Sequence, residues 1–135
     1  GAAKAVRAAL ADAGLSPDAI GYINAHGTGT VLNDINEAAA LRQVFGQQLD
    51  AIPLSSSKPI IGHVLGAGGA LELIITVRAL QEQVVPPNIN FQGADPKCPL
   101  NLVLGKAAPH RFDAALSNSF AFGGINAALV VSRAG

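Results

Sequence analysis

An α/β fold, with helices and strands alternating along one domain spanning residues 1–135, is predicted by three observations. Apolar residues recur at helical spacing in residues 1–13, 34–45 and 66–83. Between and after these stretches lie short apolar runs of strand length, at 20–25, 52–56, 114–118 and 127–132. The junctions are rich in glycine, and two of them carry histidine, at His26 and His63. With 50% hydrophobic and 13% charged residues in a chain of 135, much of this surface is destined for burial.

The first helix places Val6, Leu10 and Ala13 on one face and ends at Gly14, a residue suited to the left-handed conformation after a helix. Ser16-Pro17-Asp18 then turns the chain into strand 20–25. Beyond His26-Gly27-Thr28-Gly29-Thr30, Asp34 with Glu37 three residues later has the form of a capping box, followed by Ala38, Leu41, Val44 and Phe45 at helical spacing. Gly46 ends that helix, and strand 52–56 carries its proline near the start, where a missing donor is tolerated.

Residues 58–63 read as a loop that feeds the longest helix, 66–83. Leu71, Leu73, Ile74, Ile75, Val77 and Leu80 surround most of that helix, so it is expected to be enclosed by other elements. The run Gly66-Ala67-Gly68-Gly69-Ala70 at its start costs roughly 1 kcal/mol per glycine relative to alanine, which implies a close neighbour or ligand there. Residues 84–99, with Pro86, Pro87, Pro96 and Pro99, read as an extended connection. The last two strands flank Ser119-Phe120-Ala121-Phe122-Gly123-Gly124-Ile125-Asn126. Phe120 and Phe122 alternate as core strand residues would, but the following glycines favour a loop.

Composition excludes several functions. Nine basic and nine acidic residues leave no net charge to attract nucleic acid or an anionic membrane, and no apolar run approaches the ~18 residues of a membrane span. The histidines have no neighbouring Cys, His or carboxylate at ligand spacing, so no metal site is expected. The glycine run lacks the spacing of a nucleotide-binding loop. A single cysteine, Cys98, and the absence of a signal segment make the cytoplasm the expected compartment. The uncapped first helix and the absence of methionine read as a piece of a longer polypeptide.

A histidine directly after a buried strand, next to glycines that allow close approach of a ligand, is a site candidate in any α/β protein. By themselves His26 and His63 are more ordinarily structural histidines, Lys58 a solvated lysine, Glu72 an interface charge and His110 a surface residue. Five ordered motifs change that weighting: Asn24-Ala25-His26-Gly27-Thr28-Gly29-Thr30, Asn33-Asp34, Lys58 with Gly62-His63 and Leu65-Gly66-Ala67, Val85-Pro86-Pro87, and Ser117-Asn118-Ser119-Phe120 through Gly123-Gly124. Together they resemble the β-ketoacyl synthases, condensing enzymes of fatty acid and polyketide synthesis.

The resemblance implies the C-terminal half of a thiolase-like, layered α-β-α-β-α fold, with a mixed sheet and helices on both faces. It implies decarboxylative condensation of a malonyl thioester with an enzyme-bound acyl group. His26 and His63 are then the pair that stabilises the enolate, at a cost of about 3 to 4 kcal/mol of barrier for each donor lost. Lys58 and Glu72 order the site and set histidine protonation. Phe122 matches the gating aromatic, Gly123 and Gly124 its hinge, and Thr28, Thr30 and Phe120 the substrate lining.

The acyl-accepting cysteine belongs to the N-terminal half. Cys98, in an irregular segment with no adjacent base, is a poor substitute. The resemblance further implies acyl carrier protein as partner, its phosphopantetheine carrying the substrates with no other cofactor, and a homodimer or ketosynthase heterodimer. Ala121, Ile125 and the Ser55-Ser56-Ser57 stretch depart from the usual pattern without removing a catalytic group. The alternative implied by the same motifs is a non-catalytic partner related to chain-length factors, which tend to lose part of the histidine and lysine set.

Overall fold

The computed structural model describes residues 1–133. A four-stranded mixed sheet in the order β2-β1-β5-β6 forms its centre: β1 (Tyr22–Asn24) runs parallel to β2 (Leu54–Ser55) and to β5 (Ala114–Phe120), and β6 (Asn126–Ser132) returns antiparallel to β5. Helices α1 (Ala2–Ala13) and α2 (Val31–Phe45) cover one face, and α4 (Gly68–Glu82) covers the other.

Strand alternation sorts the core into two parts. Ile23, Ala114 and Leu116 pack with Val6, Leu10, Leu41 and Phe45 on the α1/α2 side. Tyr22 and Ala115 pack with Ala79, Leu80 and Phe112 on the α4 side. The predicted mixed sheet with helices on both faces is therefore present. None of its described helices is long and apolar enough to cross a membrane.

Several boundaries move, each for a physical reason. Gly14 takes the left-handed conformation at φ 64° as anticipated, but Ala13 is exposed, since the helix packs along Val6 and Leu10. The capping-box reading of Asp34 and Glu37 is corrected. Helix α2 starts at Val31, and Glu37 is taken up by tertiary hydrogen bonds instead of a helix end. Residues 58–63 are not all loop, because Lys58–Ile61 forms one helical turn, α3, with Pro59 in its first turn, a position that needs no N–H. Two short strands, β3 (Val84–Val85) and β4 (Ala108–Pro109), pair antiparallel beyond α4 within what reads as irregular sequence.

Helix α4 is not enclosed: it buries Glu72, Thr76, Ala79 and Leu80, while Ile74 stands 59% exposed and Leu71 is also exposed. Its glycine run meets a neighbour only at Gly69, where an added Cβ would lie 3.4 Å from Ser119 Oγ. His110 is not on the surface but half-buried, its Nε2 3.0 Å from the Gly21 carbonyl and its ring stacked on Phe112.

Candidate active site at the ends of three parallel strands

Topology brings the singled-out residues together. In register, Asn24 of β1 lies between Ser55 of β2 and Ser117 of β5, so the segments leaving these three parallel strands emerge at one edge of the sheet. Those segments carry His26, then Lys58 and His63, then Phe120 and the 121–125 turn. Strand carboxyl ends are where open α/β sheets hold ligands.

At this edge the His26 and His63 rings stand 5.6 Å apart between centroids, with their planes at 89°. The Phe120 ring closes the other side of His26 at 5.9 Å. Only 7% of His26 is exposed, whereas His63 lies open to solvent. Nδ1 of His26 is enclosed without a partner, which leaves Nε2 as its outward nitrogen. A buried orphan N–H is rarer than a buried unpaired acceptor, so the proton belongs on Nε2. For His63 the same assignment follows from a hydrogen bond: the Leu65 amide donates to its Nδ1 at 3.3 Å.

Lys58 and Glu72 form a buried ion pair, Nζ to Oε1 at 2.5 Å. Two charges taken out of water are costly unless paired and further hydrogen-bonded, so the pair relies on its surroundings. Asn24 supplies a bolt between them. Its side-chain amide donates to the Glu72 carbonyl and to Thr76 Oγ1, each at 3.1 Å, and accepts from Ser57 Oγ, the residue preceding Lys58, at 3.3 Å. The pair's effect reaches the histidine. Burial first, then the Lys58 charge and His63, hold the His26 pKa down at about 4, so His26 is neutral at physiological pH.

The two histidine loops are stitched together where Gly27 passes Ser56. Ser56 Oγ donates to the Gly27 carbonyl at 2.9 Å, and a Cβ on Gly27 would lie 2.5 Å from the Ser56 Cβ. Gly27 also has φ +44°, so both space and backbone conformation favour glycine.

His26, His63, Lys58, Glu72 and Phe120 are thus brought into one site. Thr28 and Thr30 hydrogen-bond each other through their hydroxyls at 2.9 Å, with Thr30 at the start of α2. Phe122 is fully exposed, on a turn where Gly123 and Gly124 have φ of 76° and 79°. Partial burial, Asp95 and Asp34 push the Cys98 thiol pKa up, the opposite of what a nucleophile needs. A cavity of about 250 Å³ lined by Ile20, Gly21, Ile52, Pro53 and His110 is at the other end of β1 and β2, away from His26 and His63.

Sequence reasoning missed three polar residues: Asn24 as more than a motif member, Asn118 and Glu37. Glu37 accepts from the backbone N–H groups of His26 and Gly27, at 2.9 Å each, and from Asn118 Nδ2 at 3.1 Å. The signal for it was present, because Glu37, Leu41 and Val44 share one helical face, and a carboxylate in an apolar stripe needs partners.

The sequence model of the β-ketoacyl synthase C-terminal domain matches residues 1–92, and the chain belongs to that family. It is 45% identical over 133 residues to 3-oxoacyl-[acyl-carrier-protein] synthase 2 of Synechocystis sp., covering 98% of this chain and 32% of that protein. Among solved structures, the ishigamide ketosynthase/chain length factor matches with a TM-score of 0.95 at 38% identity, over all of this chain and 33% of that one. A type II polyketide synthase acyl-carrier protein in complex with its ketosynthase bound to the hexaketide matches at 0.92 and 38%, over 98% of this chain and 32% of that one. The chain spans about a third of the length of these relatives.

Proposed function

We propose that this chain supplies the decarboxylation machinery of a 3-oxoacyl-[acyl-carrier-protein] synthase acting in fatty acid or polyketide synthesis. The observation that carries this reading is the pair of imidazoles 5.6 Å apart, each with Nε2 as the available donor, beside a buried lysine–glutamate pair. In the proposed step a malonyl thioester places its carbonyl oxygen between the two Nε2–H groups. The C–C bond to the carboxylate breaks, carbon dioxide leaves, and the electron pair becomes an enolate whose oxygen both imidazoles stabilise. The enolate carbon then attacks the carbonyl of an acyl group held on a cysteine thioester, forming the new C–C bond and releasing the thiolate.

Burial first and the Lys58 charge second keep His26 neutral and donor-competent, Glu72 neutralises Lys58, and Asn24 holds both in place. Phe120, Phe122, Gly123, Thr28 and Thr30 would border the acyl and pantetheine path, with the 121–125 turn acting as gate. Acyl carrier protein would deliver both substrates on its phosphopantetheine, with no metal in the chemistry. The acyl-accepting cysteine would come from the complementary half of the enzyme, as part of a cytoplasmic homodimer or ketosynthase heterodimer. Retention of both histidines, Lys58 and Glu72 favours this enzyme over a non-catalytic chain-length partner.

In the protein at its natural length, His63→Ala should slow malonyl-CoA decarboxylation by about 10²- to 10³-fold, while Cys98→Ala leaves it unchanged. A His63→Ala enzyme at the wild-type rate would exclude the proposal.

A further inference from the structure

Ser56 has no task in the chemistry above. His26 and His63 leave the sheet from different strands, β1 and β2, and those strands share only two register pairs, Ile23 with Leu54 and Asn24 with Ser55. The last backbone hydrogen bond between them runs from the Ala25 amide to the Ser55 carbonyl at 2.9 Å, one residue short of His26. Beyond that point something other than the sheet has to set the spacing of the two imidazoles.

Among the described residues, one hydrogen bond crosses from segment 26–30 to segment 56–65, and Ser56 makes it. Its Oγ donates to the Gly27 carbonyl at 2.9 Å and accepts from the Lys58 amide at 3.3 Å. A hydroxyl can do both, having one donor and two lone pairs. One contact is to the residue that follows His26, and the other is to the first residue of α3, the turn that leads to His63.

Ser56 is itself held still. It is 6% exposed, and its own amide donates to Asn88 Oδ1 at 2.6 Å, while Asn88 is tied through its backbone to Val103 and Gly105. Gly27, in contrast, has φ +44° and no side chain, and Ser56 takes the space where its Cβ would lie. A glycine is free to swing its carbonyl unless something grips it. Alanine at 56 would fill the same space at the end of β2, so packing alone gives no reason for the oxygen.

We propose that Ser56 is a positioning residue for decarboxylation: its hydroxyl joins the two histidine loops and sets the His26 ring against the His63 ring. This inference rests on the function proposed above. A displacement of about 1 Å at groups aimed at a developing charge costs on the order of 10²-fold in rate, and losing one of the anchors of these loops permits part of that movement.

The test uses the protein at its natural length. Ser56→Ala should lower the malonyl-CoA decarboxylation kcat about tenfold, leave KM within twofold, and leave acyl loading from an acyl-CoA unaltered. Ser56→Cys, whose thiol is a weak donor and acceptor, decides the matter if Ser56→Ala does not fold. The sharpest measurement is the same change in a His63→Ala background. With one imidazole gone there is no pair to align, so Ser56→Ala should then alter the remaining rate less than twofold.

Decarboxylation within twofold of wild type in the folded Ser56 variant overturns the proposal. So does a tenfold loss that persists undiminished in the His63→Ala background, or a parallel fall in acyl loading, since either marks a support of the fold and not of the pair. A His26 pKa that rises from about 4 in Ser56→Ala, read by ring-nitrogen NMR, also overturns it, because the effect then runs through the Lys58 charge. The single variant His63→Ala judges the functional reading separately: a slow enzyme keeps that reading while Ser56 is decided on its own, and a fully active one removes both.

Discussion

His26 and His63 are the same side chain at the same edge of one sheet, yet the protein treats them in opposite ways. His26 follows β1, is nearly sealed from solvent, has its peptide held by Glu37 and lies under Phe120. His63 follows the single turn α3, stands in the open beside exposed Val64 and Leu65, and is oriented by one 3.3 Å hydrogen bond from Leu65. The difference teaches that one imidazole has its charge state fixed by the fold and the other is left accessible to solvent. Burial and Lys58 hold the first neutral down to a pH of about 4.

The largest way to break this contrast is through the buried charges. Lys58→Met leaves the Glu72 carboxyl enclosed and unpaired, and should destabilise the protein by about 3 to 5 kcal/mol in denaturant unfolding. Replacing both partners, Lys58→Met with Glu72→Leu, should recover most of that loss, since the cost lies in the lone charge. Equal destabilisation by the double variant would mean that the pair shapes the fold and not only the electrostatics.

A smaller effect sharpens the electrostatic side. With Lys58→Met and Glu72→Gln the cation beside His26 is gone, so its imidazolium is less disfavoured and the pKa should rise from about 4 toward the ordinary 6.5. Burial is the larger cause and stays, so the rise is partial. Ring-nitrogen NMR titration reads it directly. Linkage has a definite sign here. The unfolded histidine takes up its proton near pH 6.5 and the folded one only near 4, so the wild type loses stability as pH falls through that window. The double variant should lose less.

The smallest expected effect is at the rim. Phe122→Ala, at a fully exposed ring, should change unfolding stability by less than about 0.5 kcal/mol while altering acyl-chain handling if the turn is a gate. A loss of several kcal/mol would mean that Phe122 is packed in the folded protein.

Much of this layout was legible in the sequence, and the part that was not has a common cause. His26, Lys58 and His63 could be placed because each follows an apolar strand, and strand direction determines where its exit loop lies. Glu37 was read as half of a capping box because Asp34 stands three residues before it. That pattern is local, whereas the donors that satisfy Glu37 come from His26, Gly27 and Asn118, and the last lies 81 positions away in sequence.

Turn α3 was hidden because Lys58-Pro59 looks like a loop unless proline is credited with starting helices. Strands β3 and β4 are two residues each, too short for any periodicity, and one ends in Pro109. The exposed flank of α4 is a different case. Its apolar circumference was read correctly, and the described elements cover only the side facing β5 and β6.

The central claim is that both imidazoles act on a single thioester oxygen. A double-mutant cycle for malonyl-CoA decarboxylation, with His26→Ala, His63→Ala and the two combined in the protein at its natural length, measures this most directly. Residues serving one transition-state oxygen should be strongly non-additive, each single variant losing about 10²- to 10³-fold and the double losing little more than the worse single. Independent, multiplying losses, or a wild-type rate in either single variant, would contradict the account.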